Sequence, residues 1–236
     1  MNTENPKISV VMSVYNGEKY LKEAVDSILN QSFKDFEFII INDGSTDGSK
    51  EILENYKDER IRLFNNQNQG LIGSLNEAIG YSRGEYIARM DADDISLPER
   101  LEKQISFMES KKIVLCGSWA EVIDSIGNTI KHYIYPPIGS KKIRLYSIIH
   151  CPFIHPSVMF RKEIFEKVGG YKSYKNIEDY ELWTRIIYKN DTDNIPEELI
   201  KYRIHDNQIT KKNKSEMRVK GFFVRSLALW RFVFRF

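Results

Sequence analysis

Three aspartates fall within four residues of this chain, in the stretch Asp91-Ala92-Asp93-Asp94. The apolar run before them, residues 85–90, is typical of a β-strand, and the proline soon after them is typical of the first turn of a helix. Carboxylates at positions i and i+2 just past a strand can converge on one divalent cation, and such oxygen ligands suit Mg²⁺ or Mn²⁺. A cation held in this way keeps room for phosphates, so the stretch predicts a diphosphate site. A solvated acidic turn or a helix N-cap is the alternative that this motif alone leaves open.

The elements that must position this motif alternate between strand and helix patterns. Strands are predicted at residues 8–14, 36–41, 61–64 and 85–90, and helices at 18–30, 46–56 and 70–81. This alternation predicts an α/β fold with a mostly parallel, doubly wound sheet. Ligands of such sheets bind outside the carboxyl ends of the strands. Because Tyr15, Asp43 and Asp91 each follow a predicted strand, we expect them to share one rim of the sheet.

The second half of the chain is less regular. Strands are predicted at residues 113–123, 131–137, 155–160 and 199–204, and helices at 162–168 and 178–188. No linker-like composition separates the halves, so we predict a mixed extension of the same sheet rather than an independent domain.

Composition narrows the possible classes of protein. The 236 residues suffice for one sizeable α/β domain, and a net charge of +2 gives no argument for binding nucleic acid. Cys116 and Cys151 have neither metal nor redox spacing, which favours a reducing compartment. The first residues do not resemble a signal peptide, and no stretch approaches the roughly 20 apolar residues that span a bilayer. We therefore expect a cytoplasmic protein.

Four motifs, in order along the chain and on the predicted elements, resemble glycosyltransferase family 2. Residues 8–17, and residues 31–33 leading to 42–47, resemble the nucleotide-binding half of that family. Residues 91–94 are similar to its metal motif, and residues 178–183 are similar to its acidic catalytic motif. The likeness runs from about Lys7 to about Thr210. It implies a GT-A fold, a nucleotide-diphosphate sugar as donor, and transfer that inverts the anomeric centre.

The resemblance also implies a set of residues that bind the donor nucleotide: Ser13, Tyr15, Asn16, Asp43, Asp91 and Ala92. Tyr15 is expected to stack on the base, and Asp43 is expected to accept a hydrogen bond from it. An aromatic face suits any base and a carboxylate suits the N–H of uracil, so a UDP-sugar is favoured. Two alternatives remain: Tyr15 as an aromatic that caps its strand, and Asp43 as a turn residue before a glycine.

By the same resemblance, Asp93 is expected to bind Mn²⁺ or Mg²⁺ directly. Asp91 would bind the ribose, or the metal through water, and His205 would reach the metal or the diphosphate. Imidazole suits Mn²⁺ better than Mg²⁺. The alternatives are that Asp94 caps the following helix and that His205 is a surface loop histidine.

Single-displacement inversion needs a base that takes the proton of the acceptor hydroxyl as the new bond forms. By resemblance Asp179 is that base, and Glu178 orients the acceptor or its neighbour. The alternative is that both carboxylates complement the dipole of the helix that they begin, which stabilises a helix by ~0.3–1 kcal/mol. Arg83 and Arg89 lie near the phosphate site in sequence but are treated as surface or packing arginines.

The tail at residues 217–236 interleaves basic residues with aromatic and aliphatic ones. On a helical wheel most apolar residues fall on one half and all five cations on the other, with Val224 and Phe232 as exceptions. An interfacial helix on an anionic membrane has this pattern. So does a helix that packs on the enzyme body or on a second subunit of a homodimer, and the sequence does not separate these alternatives.

We therefore expect a donor-binding half at residues 1–110, an acceptor-binding and catalytic half at 111–210, and a basic amphipathic tail at 211–236. The expected function is inverting, metal-assisted transfer from a UDP-sugar to a glycan or lipid-linked acceptor. Such transfers assemble cell-surface polysaccharides, glycolipids or glycoprotein glycans, which suits a peripheral place on the inner face of the cell membrane.

Two other functions compete with this one. A catalytically silent nucleotide-sugar-binding protein would not need both Asp93 and Asp179. A sugar nucleotidyltransferase would need a glycine-rich, basic phosphate loop after the first strand, and residues 15–18 do not form one.

Overall fold

Four strands with apolar, β-branched sequences form the centre of the protein. The computed structural model describes residues 5–206, 208 and 214–234, while the side chains of 131–132 and 214–219 also lie outside the description. The central strands pair in parallel in the order β3-β2-β1-β4: β1 (Ile8–Val14), β2 (Phe36–Asn42), β3 (Ile61–Asn65) and β4 (Tyr86–Met90). Every residue of β2 is buried, as in a strand covered on both faces. The connecting helices are α1 (Glu18–Leu29), α2 (Ser49–Glu54) and α3 (Gly70–Tyr81).

Alternate residues of β1 belong to two separate apolar cores. Val10 and Met12 pack in the core that includes α1 residues such as Leu21 and Ile28. Val11 packs in the other core, with α3 residues such as Leu75. Helices therefore cover both faces of the sheet, and the predicted doubly wound α/β fold is confirmed.

The mixed extension continues the sheet beyond β4. Its strands are β5 (Ile95–Ser96), β6 (Leu115–Ile123), β7 (Thr129–Ile134), β8 (Met159–Arg161) and β9 (Thr192–Arg203). The order after β4 is β8-β6-β9-β5, with β7 paired to β6. β8 is antiparallel to β4 and to β6, whereas β6 and β9 are parallel. The associated helices are α4 (Arg100–Lys111), α5 (Ser140–Tyr146), α6 (Lys162–Val168) and α7 (Glu178–Ile187).

Three predicted strands have different boundaries in the structure. The strand predicted at 131–137 is β7, which begins at Thr129 and ends at Ile134. The strand predicted at 155–160 is wrong in its first half, where His155–Ser157 form a short 3-10 helix. Pro156 lacks a backbone N–H, and the Ser157 hydroxyl donates to the carbonyl of Ile154 (2.8 Å), so the ladder starts only at β8. β9 begins at Thr192 rather than at residue 199. Its pairing with β6 shifts between Ile195 and Glu198, and the proline at this irregularity hid the strand in the sequence. Helix α5 and strand β5 were not predicted.

The tail forms helix α8 (Lys214–Phe234), which packs on α7. Val224 is fully buried against Ile177 and Tyr180, and the Arg231 guanidinium donates to Glu181 (3.2 Å). The ring of Phe232 lies edge-on to Tyr188, at 6.2 Å between centroids. Val224 and Phe232, the exceptions on the helical wheel, therefore contact the body.

The outer face of α8 is exposed and apolar. Its large exposed side chains are Phe222, Phe223, Leu229, Trp230, Val233 and Phe234. The predicted tail residues 211–213, 235 and 236, and the side chain of Arg218, lie outside the described residues. In the described part of the chain, no helix is long and apolar enough to cross a membrane.

Candidate active site

Two loops at the carboxyl ends of β1 and β2 hold each other in place. The Asn16 side-chain oxygen accepts the backbone N–H of Thr46 (2.8 Å), and the Asn16 N–H donates to the Ser45 hydroxyl (3.1 Å). Glu18 accepts the N–H of Gly48 (2.7 Å). Asn16 has a φ of 53°, in the left-handed region that asparagine tolerates better than most residues. Asn16, predicted in the nucleotide site, therefore fixes the shape of the rim with its side chain.

Asp43 and Tyr15 lie on this rim in very different surroundings. Tyr15 is 55% exposed directly after β1, with Ser13 partly buried inside the strand. Asp43 is 1% exposed, and its carboxylate accepts the N–H groups of Gln69 (2.8 Å) and Gly70 (2.9 Å). It thereby satisfies donors at the start of α3 that have no partner within the helix. Each carboxylate oxygen has a second lone pair, so the cap by itself does not use up the acceptor capacity of Asp43.

The loop after β4 brings three carboxylates together. One oxygen each from Asp91, Asp93 and Asp94 lies within 4.8 Å of the others. Asp93 Oδ2 is 2.9 Å from His205 Nε2, although the two residues are 112 positions apart in sequence. Of the predicted metal ligands, Asp91 and Asp93 thus lie in one carboxylate cluster, and His205 contacts that cluster through Asp93. Ala92, between Asp91 and Asp93 in the chain, is partly buried.

Asp94 gives the cluster a feature that fits a cation. One of its oxygens accepts the backbone N–H of Arg203 (2.8 Å), whereas Oδ2 is buried with no hydrogen-bond partner among the described residues. Burial raises the pKa of Asp94 well above its ordinary value, and the charges of Asp93 and Asp91 raise it further. A buried oxygen without a partner is costly, and a bound cation would satisfy it. Three carboxylates and an imidazole are an acceptable ligand set for Mn²⁺ or Mg²⁺.

Arg203, at the end of β9, connects this loop to the rest of the protein. Its Nε donates to the carbonyl of Asp93 (2.8 Å), and its Nη2 contacts Glu23 (2.5 Å). The guanidinium also lies 4.6 Å over the ring of Tyr20, whose ring centroid is 5.0 Å from that of His205. Arg203 therefore holds the aspartate loop in place. It also packs on Tyr20, the ring that lies beside His205. The sequence argument did not identify Arg203.

Arg89 is a buried cation inside the site. It is 2% exposed in β4 and forms an ion pair with Asp91. Burial raises the pKa of Asp91, Arg89 lowers it, and Asp93 raises it again. Arg89 also lowers the pKa of Glu178 and of Asp179, so one cation lies within electrostatic range of both carboxylate clusters. The sequence argument placed Arg89 outside the site. The available signal was a charge in a buried strand, since buried charges are normally paired.

Arg100, at the start of α4, supports the end of β4. It is fully buried, and its Nη2 donates to the carbonyls of Arg89 (2.7 Å) and Val158 (3.3 Å). Its Nε donates to the side chain of Gln104 (2.9 Å). Burial lowers the pKa of Arg100 to about 10. These contacts hold the strand at the point where the chain turns into the aspartate loop.

The second carboxylate cluster occupies the first turn of α7. Asp179 Oδ1 accepts the N–H of Tyr180 (2.7 Å), and Oδ2 lies 3.8 Å from the Cys151 sulfur. Burial raises the pKa of Asp179, although the Tyr180 N–H and Arg89 lower it. Glu178 is buried, and burial together with the charge of Asp179 raises its pKa to about 7. A carboxylate with a raised pKa is a stronger base than a solvated one, so this cluster is suited to accept a proton at neutral pH.

Comparison with known proteins defines the class. Residues 9–169 match the family described as Glycosyl transferase family 2. An uncharacterized glycosyltransferase of Methanocaldococcus jannaschii is 41% identical over 225 residues, covering 91% of this chain and 77% of the relative. The O-antigen biosynthesis glycosyltransferase WbnJ of Escherichia coli is 39% identical over 212 residues, which cover 87% of this chain and 82% of the relative. The protein is a glycosyltransferase. It belongs to glycosyl transferase family 2.

Solved structures confirm the fold. S. aureus TarS residues 1–349 in complex with UDP-GlcNAc superposes with a TM-score of 0.74 at 17% identity, covering 97% of this chain and 72% of that one. The mannosyltransferase PcManGT from Pyrobaculum calidifontis, in complex with GDP-Man and Mn²⁺, superposes with a TM-score of 0.68 at 15% identity. The superposition covers 99% of this chain and 74% of that one. The fold is therefore GT-A.

Proposed function

We propose that this glycosyltransferase moves a sugar from a UDP-sugar to an acceptor hydroxyl in one inverting displacement assisted by a divalent cation. The observation that carries this proposal is the pairing of two carboxylate clusters around Arg89. One cluster contains Asp93 and its neighbour His205 (2.9 Å), and the other contains Asp179 with a raised pKa. A metal site for a leaving diphosphate and a separate base are the two requirements of such a displacement.

Each residue then has a defined task. Asp93, Asp91 and His205 hold the cation, which neutralises the leaving diphosphate when bound. Asp179 takes the proton of the acceptor hydroxyl while that oxygen forms a bond to the anomeric carbon. Glu178, with a pKa of about 7, orients the acceptor beside it. The new bond forms on the face opposite the diphosphate, so the anomeric centre inverts.

The base of the donor lies on the rim formed by the loops after β1 and β2. The exposed ring of Tyr15 supplies a stacking surface, and Asp43 accepts the N–H of uracil with a lone pair that its helix cap leaves available. Ser13, Asn16 and Ala92 shape the floor of this site. In this proposal residues 1–110 bind the donor, and residues 111–210 bind the acceptor and carry the base.

The proposed setting is the assembly of cell-surface glycans at a membrane. WbnJ, a relative of this chain, is named for O-antigen biosynthesis. Helix α8 directs Arg231 and Val224 toward the body and leaves an outer face that includes Phe222 and Trp230 exposed. An apolar helix face of this kind gains free energy when it enters the interfacial region of a bilayer. We infer that the outer face of α8 contacts the membrane surface peripherally, which would bring lipid-linked acceptors within reach of the enzyme.

Calorimetric titration of UDP, with and without Mn²⁺, tests the donor site. Asp93→Ala is expected to abolish the gain in UDP affinity that Mn²⁺ provides, because Asp93 is the carboxylate nearest His205. Asp191→Ala is the matched control, since that carboxylate is largely exposed and pairs with Arg144 at the surface. Equal UDP–Mn²⁺ affinity in wild type and Asp93→Ala would overturn the metal assignment.

A further inference from the structure

The hairpin of β6 and β7 carries an exposed aromatic surface beside the catalytic cluster. The rings of Tyr133 and Tyr135 are nearly parallel, at an interplanar angle of 7° and 5.8 Å between centroids. Trp119 meets Tyr135 edge-on at 4.6 Å, and its indole N–H donates to the carbonyl of Pro136 (3.2 Å). Tyr133 and Tyr135 are 40% and 55% exposed. This arrangement holds two ring faces in a fixed orientation without covering them.

The same tyrosines line a cleft of ≈ 220 Å³. Tyr146 and Cys151 also line it, and the Cys151 sulfur is 3.8 Å from Asp179 Oδ2. At ~30 Å³ for each water, the cleft corresponds to roughly seven displaced waters, which is the size of a single sugar unit. The cleft is therefore too small for a folded partner, and Cys151, one of its lining residues, contacts Asp179, the proposed base.

We propose that this cleft binds the acceptor, and that the acceptor presents a saccharide ring there rather than a lipid chain or a peptide. The proposal rests on the glycosyl transfer proposed above. A pyranose has an apolar face of C–H groups that stacks on an aromatic ring, while hydroxyls at its edge form hydrogen bonds.

The chemistry of the lining favours a saccharide over a lipid chain. The three exposed aromatic residues of the cleft, Tyr133, Tyr135 and Tyr146, all carry hydroxyls. A lipid chain that covered these hydroxyls would remove them from water and offer no hydrogen bond in return, which is costly, whereas a sugar can bond to them. Tyr135 and Tyr133 thereby hold the ring, and the reacting hydroxyl lies at the inner end, next to Asp179.

Saturation-transfer NMR tests this proposal without the donor. The probes are the methyl glycosides of glucose, galactose and N-acetylglucosamine, with farnesyl phosphate as the lipid probe. We expect at least one glycoside to bind the wild type. Tyr135→Ala and Tyr133→Ala should weaken that binding about tenfold, as expected from the loss of one stacked apolar contact. Tyr135→Phe keeps the ring and should bind nearly as the wild type does.

Ile126→Ala is the matched control, because Ile126 is 78% exposed in the turn of the same hairpin and does not line the cleft. It should leave glycoside binding unchanged, and UDP–Mn²⁺ affinity should be the same in all variants. Failure of every glycoside to bind the wild type would overturn the proposal. So would equal effects of Tyr135→Ala and Ile126→Ala, or tyrosine-dependent binding of farnesyl phosphate alone. If the wild type does not bind UDP–Mn²⁺ at all, that result would instead contradict the proposed function.

Discussion

Replacing Arg89 with methionine removes a cation that lies within electrostatic range of both carboxylate clusters. Methionine keeps much of the buried volume, so the main change is electrostatic. Truncating one partner of a buried ion pair costs about 3–5 kcal/mol. Because the Asp91 side chain remains 29% exposed and water screens it in part, we expect a loss of about 2–3 kcal/mol in the free energy of unfolding at neutral pH.

The pH dependence gives this prediction its direction. The folded-state pKa of Asp91 is raised above the unfolded value of about 3.9, and loss of Arg89 raises it further. As the pH falls through the folded-state pKa, Asp91 takes up a proton and becomes neutral, so the charge of Arg89 no longer stabilises it. The stability difference between wild type and Arg89→Met should therefore be largest near pH ~8 and shrink toward pH ~5.

Urea unfolding in EDTA at the two pH values measures this difference without a bound metal. Arg161→Met is the matched control, since Arg161 lies on the neighbouring strand β8 in an ion pair with the partly exposed Glu85. That pair should contribute less than about 1 kcal/mol at either pH. An Arg89→Met loss that is independent of pH, or no larger than that of Arg161→Met, would refute the assignment of Arg89 as the shared counter-charge.

Three further predictions concern the donor, the base and the tail. UDP should compete for the Mn²⁺-loaded site more strongly than GDP, and tighter binding of GDP would overturn the uridine assignment while leaving the fold intact. Asp179 must be ionised to act, so the acidic limb of the pH–rate profile should lie above the ordinary aspartate pKa of about 3.9. Because Arg89 lowers the pKa of Asp179, Arg89→Met should move this acidic limb to higher pH. A limb at or below that ordinary value would contradict the raised pKa. Replacing Phe222 and Trp230 with serine should abolish flotation with anionic vesicles and leave UDP binding unchanged. If the wild type does not float, or the replacement separates a dimer, the outer face of α8 is a protein interface.

The first half of the fold was readable from the sequence because its signals are local. The apolar runs that became β1, β2 and β4 are each followed by turn residues, and a helix needs only its own periodic pattern. β9 was found only in part, since Pro196 interrupts its pattern and the strand bulges there to keep its pairing with β6. Whether a proline falls at a bulge depends on the partner strand, which the sequence does not show.

The difference between local signals and long-range contacts also explains which residues of the candidate site could be predicted from the sequence. Aspartates at a predicted strand end could be recognised from spacing, whereas Arg203 reaches the aspartate loop across about 110 positions of sequence. Arg89 looked like an ordinary arginine until its burial was known. Arg231 and Val224 of the tail fall on the basic half of the helical wheel, and the sequence left open what that helix packs against. In the structure this side faces the protein, where Arg231 contacts Glu181 on α7. Arg203 and Arg231 contact partners far away in sequence, and the burial of Arg89 depends on the elements packed around β4, so a local pattern reveals none of these positions.

The most direct test of the account is the effect of Asp179→Asn on transfer and on donor binding, measured in parallel. Asparagine keeps the shape of the side chain and removes its basicity. Transfer to the acceptor should fall by ~10²–10⁴-fold, as expected for loss of a general base, while UDP–Mn²⁺ affinity remains near the wild-type value. Transfer at close to the wild-type rate would contradict the account and leave Glu178 as the remaining candidate base.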